Sequence, residues 1–96
     1  MLYDVYSDED ISIKMEVDEF LQVCLHMEVL HWSRSVLKKS KRLAEYLKEA
    51  LYLEGFETAY TVTPNPKFVR LVFGGSVFDK VIVDDINYEV VVWDLR

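Results

Sequence analysis

The side chains best suited to acid–base chemistry lie close together in the first third of the chain. His26 and Glu28 stand two positions apart, so in a β-strand they share one face. An imidazole or a carboxylate at this place could deprotonate an amine, directly or through water. Cys24 shares that face, which leaves a cysteine–histidine nucleophile as a weaker alternative. His31 falls on the opposite, apolar face, where we expect a core histidine. For Glu28, the alternative to a catalytic role is a side chain that only faces solvent.

A cluster of cations opens the segment that follows. Arg34, Lys38, Lys39, Lys41 and Arg42 all lie in the N-terminal half of a predicted helix. The helix dipole is positive at that end, so acidic side chains would be the stabilising choice. A bound anion would explain the cations, because free backbone N–H groups, the dipole and the basic side chains would then act together. The alternative is a solvated basic face matched by acids on neighbouring elements.

These residues need strands and helices to position them, and hydropathy patterns predict seven elements. In chain order they are strands over residues 11–17 and 20–32, a helix over 34–54, a strand over 56–62, a helix over 67–73, and strands over 77–83 and 88–93. Ser33 or Ser35 is the predicted N-cap of the long amphipathic helix, and Gly55 is placed to end it. Asn65 is the predicted N-cap of the short helix, with Pro66 in its first turn.

The order ββ-α-β-α-ββ predicts an α/β fold with a mixed, twisted sheet. A helix between strands usually gives a right-handed crossover and parallel pairing, whereas the two hairpins are antiparallel. Residues 1–10 end in the acidic run Ser7–Asp10, which is expected to be solvated and turn-like. Helix is the alternative for residues 18–31. Residues 88–93 are apolar on both faces, so this strand lies inside the sheet or is covered by a partner, such as a second copy in a homodimer.

Composition excludes several classes of protein. The chain has 96 residues, enough for one domain over residues 1–96, and its hydrophobic content of 51% is that of a globular protein. A single cysteine excludes a disulfide framework, and with only two histidines we expect no metal site. No apolar run reaches about 18 residues and the N-terminus is acidic. We therefore expect neither a membrane span nor a secretory signal, and a cytoplasmic location.

The charge is unevenly distributed, which bears on the partners. The net charge is −6, yet residues 34–48 carry six bases and one acid. Such a chain is not built to coat duplex DNA, so we expect no nucleic-acid partner. One compact anion, or a basic partner for the acidic faces, is better matched. The aromatic content of 14% exceeds what one small core can bury, and exposed aromatic residues beside acids are typical of protein-binding surfaces.

The order of elements resembles the core of the GNAT (Gcn5-related) N-acetyltransferases over about residues 11–94. The resemblance rests on the order of five features. They are a strand ending at Trp32, a helix from Arg34, a glycine at Gly55, a further strand, and a helix that begins after an asparagine and ends at two glycines. The segment Asn65–Gly75 is similar in outline to the family's second-helix signature. The chain is most similar to divergent GNAT-like proteins that bacteriophages encode, some of which are tied to virion assembly.

The resemblance implies an abbreviated GNAT-like fold that binds acetyl-coenzyme A, with Glu28 or His26 as the base. The cofactor contacts that it implies are Ser33, Arg34, Ser35, Lys38, Lys39 and Asn65. The family's pyrophosphate loop contains glycine, and its second helix carries a tyrosine that returns a proton to the leaving thiolate. The matching segment Trp32–Leu37 has no glycine, and Val72 stands at the tyrosine's position. The resemblance therefore implies a catalytically degenerate member.

We expect from these features a small phage-type GNAT-like protein, in the host-cell cytoplasm, that acts by binding another protein. Inhibition of a host factor and virion assembly are the settings that the resemblance implies. The alternative is an acyl-coenzyme A-dependent N-acetyltransferase acting on a protein or a small amine. An acidic mimic of nucleic acid ranks last, because the acids are spread over turns rather than along one element.

Overall fold

The computed structural model describes residues 2–95, which form one six-stranded mixed sheet and two helices. In chain order the elements are β1 (Leu2–Ser7), β2 (Ile11–Val17), β3 (Val23–Val29), α1 (Arg34–Leu53), β4 (Thr58–Thr63), α2 (Pro66–Phe73), β5 (Ser76–Val83) and β6 (Ile86–Asp94). The strand order across the sheet is β1-β2-β3-β4-β6-β5. The α/β class and the mixed sheet are thus confirmed, and the predicted order of elements holds from β2 onward.

The N-terminal residues form a strand that the sequence pattern did not predict. β1 pairs antiparallel with β2, and Tyr3 lies opposite Met15. Only the acidic run after it forms the expected turn, in which Asp8 Oδ1 accepts the backbone N–H groups of Asp10 and Ile11. β1 is an edge strand with mostly exposed side chains, so backbone pairing rather than burial defines it. The hydropathy pattern of such a strand therefore gives little signal from which to predict it.

β3 is a strand, as predicted, but it is shorter than the pattern over residues 20–32 indicated. The Asp18 carboxylate accepts the backbone N–H groups of Phe20 and Gln22, and Leu21 adopts a left-handed backbone with φ of 61°. These residues therefore form a turn, which delays the start of β3 to Val23. The helical alternative for this segment is wrong.

The predicted start and end of the long helix are confirmed. Ser33 is the N-cap, and its Oγ accepts the backbone N–H of Val36 at 3.1 Å. Gly55 has φ of 100°, the left-handed conformation that closes a helix. Asn65 occupies the N-cap position of α2, but its side chain makes no capping hydrogen bond.

One face of the sheet, called here the covered face, packs against both helices. The buried core joins side chains of that face to the helix stripes, and its members include Leu25, Ala44, Leu51, Ala59, Val69, Val72, Phe73, Val91 and Trp93. The rings of Phe73 and Trp93 stack with centroids 4.6 Å apart. The opposite face, called here the open face, carries no helix in the described part of the chain. Neither helix in residues 2–95 is long and apolar enough to cross a bilayer.

The parallel pair β3–β4 is held together at only two positions. Val23 lies opposite Ala59 and Cys24 opposite Tyr60, both near the amino ends of the strands. Beyond them β3 continues its pairing with β2, and β4 continues with β6. The two strands therefore separate toward their carboxyl ends.

The last two strands form a hairpin whose second strand lies inside the sheet. Asp84 and Asp85, with φ of 50° and 65°, make the two-residue turn, the geometry that suits a tight hairpin. β6 pairs with β4 on one side and β5 on the other. β6 therefore lies inside the sheet, one of the two alternatives expected for this strand, and the homodimer stays a prediction.

Candidate ligand-binding cleft

A cleft of about 400 Å³ lies where β3 and β4 separate. Its lining comes from the second half of β3, the end of β4, the start of α2 and neighbouring strands, and includes Lys14, Leu25, His26, Met27, Glu28, Trp32, Thr61, Thr63, Asn65, Phe68 and Trp93. Ligands of open α/β sheets bind outside the carboxyl ends of strands, which is this place. The cleft has side chains of both sheet faces in its walls, so it is accessible from the open face.

A second space of about 480 Å³, called here the groove, lies between the starts of the two helices. Trp32, Asn65 and Phe68 line both spaces, so the cleft and the groove adjoin. Trp32 packs edge to face on Phe68, with ring centroids 4.7 Å apart. Leu37 and Leu71 add apolar surface to the groove. Together the two spaces suit an elongated ligand with an apolar arm.

The groove's outer end is positively charged. Arg34 and Lys67 line it, and the exposed Lys38 stands one turn further along α1. Two helix starts meet here, and the first backbone N–H groups of a helix have no acceptor within it. Ser33 Oγ lies 2.9 Å from Ser35 Oγ and also caps Val36, so both hydroxyls already take part in the helix cap. The cations and the helix starts together favour an anionic group.

Lys39 does not belong to this end of the groove. Its Nζ lies 2.6 Å from Asp8 Oδ2 and 3.0 Å from Asp10 Oδ2, in the turn between β1 and β2. Lys39 and the Tyr6 hydroxyl hold the pKa of Asp8 well below its usual range, and the two carboxylates raise the pKa of Lys39. For Lys39, the contact therefore agrees with the alternative to anion binding, in which acids on a neighbouring element pair with the basic side chain.

His26 and Glu28 line the cleft from the open face, and both side chains are exposed. Their cross-strand neighbours on β2 are Lys14 and Ser12 respectively. An amine that enters from the open face would meet an imidazole and a carboxylate, either of which can take a proton. The two predicted bases therefore stand together at the cleft wall.

Two other titratable side chains of this region have no place in the cleft. Cys24 is buried next to Tyr60, and burial raises the pKa of its thiol, which opposes a nucleophilic role. His31 is exposed rather than in the core, and its Nδ1 lies 2.8 Å from the Glu9 carbonyl oxygen. The core position expected for His31 was wrong, because β3 ends at Val29 and the alternation stops there.

Neither Val72 on α2 nor Trp93 on β6 is placed to donate a proton to a leaving group in the cleft. Val72 is packed in the core and carries no titratable proton. Trp93, whose ring forms part of the cleft wall, has a buried Nε1–H without an acceptor in the part of the chain that the structure describes. A buried donor without an acceptor is costly, and the burial of Trp93 Nε1 keeps this atom out of reach of a ligand in the cleft.

Sequence reasoning missed the aromatic and polar lining of the cleft. Trp32 and Phe68 were not predicted to contact a ligand through their rings, although each stands within two residues of a helix start. Thr61 and Thr63 gave no signal, because their place depends on which strand β4 pairs with. No group of histidine, cysteine, aspartate and glutamate side chains within residues 2–95 is placed to hold a metal ion. No protein-family model, curated protein sequence or solved structure matches this chain.

Proposed function

We propose that the chain binds an acyl-coenzyme A in the cleft and groove, as a GNAT-like domain. The observation that carries this proposal is the separation of β3 and β4 directly beside two helix starts. This arrangement provides an apolar passage that leads from an anion-attracting end into the sheet. The strand order supports the same proposal, because the parallel pair stands next to an antiparallel hairpin, as the order of elements predicted.

The residues present fit such a ligand. Arg34 and Lys67 would contact its phosphates, with Lys38 nearby, and the Trp32–Phe68 pair would contact its apolar arm. When bound, acetyl-coenzyme A supplies an activated acyl thioester.

Acyl transfer to an amine is the second candidate function. Glu28 and His26 support it, because both line the cleft and can accept the proton of an attacking amine. Val72 opposes it, since no proton donor stands at that position to protonate a leaving thiolate. We therefore propose coenzyme binding with slow or no transfer. The protein partner, the virion-assembly role and host-factor inhibition stay predictions from the resemblance.

Titration calorimetry with acetyl-coenzyme A tests the binding proposal. We expect one site per chain with micromolar affinity, weakened at least about tenfold by Arg34→Glu with Lys67→Glu. The matched control is Lys41→Glu with Arg42→Glu, which makes the same charge change on exposed positions of α1 outside the groove. Absence of binding at millimolar ligand, or equal loss in the control, would refute the proposal.

Incubation with acetyl-coenzyme A and a lysine-containing peptide separates binding from transfer. Peptide acetylation is followed by mass spectrometry, beside a blank without protein. Acetylation that Glu28→Gln or His26→Gln abolishes while binding persists would establish the transferase. Binding without acetylation above the blank supports the coenzyme-binding domain.

A further inference from the structure

The open face of the sheet is apolar on one half and acidic around it. Register places six aliphatic side chains of β4, β6 and β5 there, called here the valine face: Val62, Val81, Val83, Ile86, Val90 and Val92. Four of them are between 41% and 49% exposed, and the other two are half-buried. A strand face left in water normally carries polar residues, so these six aliphatic side chains, with Tyr88 among them, indicate a surface that a partner covers.

Acidic side chains lie at the margins of the valine face. Register places Asp79 on the edge strand β5 opposite Val90 and Asp94 at the end of β6, whereas Asp4, Lys14, Glu16 and Glu28 lie on the other half of the open face. Asp84 and Asp85 add two acids at the hairpin turn. The basic residues of α1 lie on the other side of the molecule, because α1 packs on the covered face. A partner for this surface must therefore be apolar at its centre and basic at its margins.

A second copy of this chain does not meet that requirement. Two valine faces packed together would bring acid against acid at the margins, and no apolar pair at the centre removes that repulsion. Packing the basic helix of one copy on the valine face of another would present α1's charged outer surface, since its apolar stripe is already buried. A different chain with basic flanks therefore matches the charge of this surface better than a second copy does.

The dimensions of the valine face fit one helix. Three strands about 4.8 Å apart give a width of about 14 Å, and the seven residues of β6 from Ile86 to Val92 give a length of about 22 Å. An α-helix is about 10–12 Å wide, and about four turns span that length. We propose that the valine face docks an amphipathic helix of a partner protein, with its apolar stripe on the valines and lysine or arginine on its flanks.

Two synthetic peptides of 20 residues provide the test, and it does not depend on ligand binding in the cleft. Both carry the same helical leucine stripe, one with lysine flanks and one with glutamate flanks, and binding is followed by fluorescence anisotropy. We expect the lysine-flanked peptide to bind at least about tenfold more tightly. Val62→Lys with Val81→Lys should weaken its binding at least about tenfold, because it places cations in the apolar centre.

Matched variants keep the result interpretable. Leu53→Lys with Ile82→Lys adds the same charge at positions 76% and 72% exposed, and neither lies on the open face. This control should bind within about twofold of the unmodified chain. Asp79→Asn with Asp94→Asn removes two marginal acids and tests the charge requirement even where the valine variant fails to fold. It should weaken the lysine-flanked peptide about threefold or more, and lessen the salt dependence of binding.

Three results would overturn the proposal. The first is equal binding of the two peptides. The second is equal loss in the control and the valine variant. The third is sedimentation showing a dimer that Val62→Lys with Val81→Lys converts to a monomer, since a second copy would then cover the valine face.

Discussion

The Lys39 ammonium group lies 2.6 Å from Asp8 Oδ2 and joins the second turn of α1 to the turn between β1 and β2. Asp10 adds a second contact, and the Tyr6 hydroxyl donates to the same Asp8 oxygen at 2.6 Å. The β1–β2 turn is thereby fixed against the helix whose start faces the groove.

Replacing Lys39 should therefore lower stability while leaving ligand binding intact. Lys39→Met keeps the apolar stem and removes the charge, and we expect Tm to fall by a few degrees. Lys38→Met is the control, because Lys38 is exposed and makes no ion pair within residues 2–95. Thermal unfolding followed by circular dichroism compares the two, and an equal effect would contradict the role of the Lys39 contact.

Acid should destabilise the chain partly through Asp8. Its folded-state pKa is depressed, so its contribution is present above the unfolded-state value of about 3.9 and is lost as the pH falls below it. The pKa of Asp18 is also lowered, chiefly by the Gln22 N–H, and it adds loss in the same window. Tm measured from pH 6 to pH 2 should fall less steeply for Asp8→Asn than for the unmodified chain. Parallel curves would show that Asp8 does not contribute.

The β2–β3 turn should gain stability from a glycine at one position. Leu21 has φ of 61° and is 75% exposed, so it bears left-handed strain without packing in return. Leu21→Gly should raise the free energy of unfolding by about 0.5–1 kcal/mol, less than the full cost of that conformation because glycine is more flexible when unfolded. Phe20→Gly, equally exposed but without positive φ, should be neutral or destabilising. Urea unfolding distinguishes these outcomes.

The stacked pair behind the cleft should dominate core stability. Phe73 is 3% exposed and packs on Trp93, so Phe73→Ala should cost about 3–5 kcal/mol. Leu71→Ala, on the exposed side of the same helix, should cost about 0.5 kcal/mol or less. Urea unfolding measures both changes, and similar costs would mean that α2 is not packed as described.

The sequence predicted well those features that local chemistry decides. Ser33 and Gly55 mark the ends of α1 through capping and backbone freedom, which depend on a few neighbouring residues. The alternation of apolar and polar residues predicted β2 and most of the remaining strands. β1 was not predicted because its side chains are mostly exposed. β3 was predicted too long because the Asp18 side chain holds the residues before Val23 in a turn.

The candidate site was only partly predictable, for a related reason. His26, Glu28 and Arg34 were found from residue type and position, and the structure places all three at the cleft or the groove. Lys39 belonged to the same cationic run, but its partner lies 31 residues earlier in the chain, a distance that periodicity cannot bridge. The cleft itself depends on which strands pair in parallel and where that pairing stops.

The short junction between β3 and β4 divides the sheet into two units of three strands. One unit is β1-β2-β3 and the other is β4-β6-β5, with only two residue pairs of backbone ladder between them. α1 spans the division, because its stripe enters one core cluster with Ile11 and Ile13 and another with Leu25 and Trp93. Opening of the two units relative to each other would widen the cleft without breaking either ladder. Amide hydrogen exchange should therefore resolve them as two cooperative blocks, with the amides that bond across the β3–β4 junction exchanging before those inside either ladder.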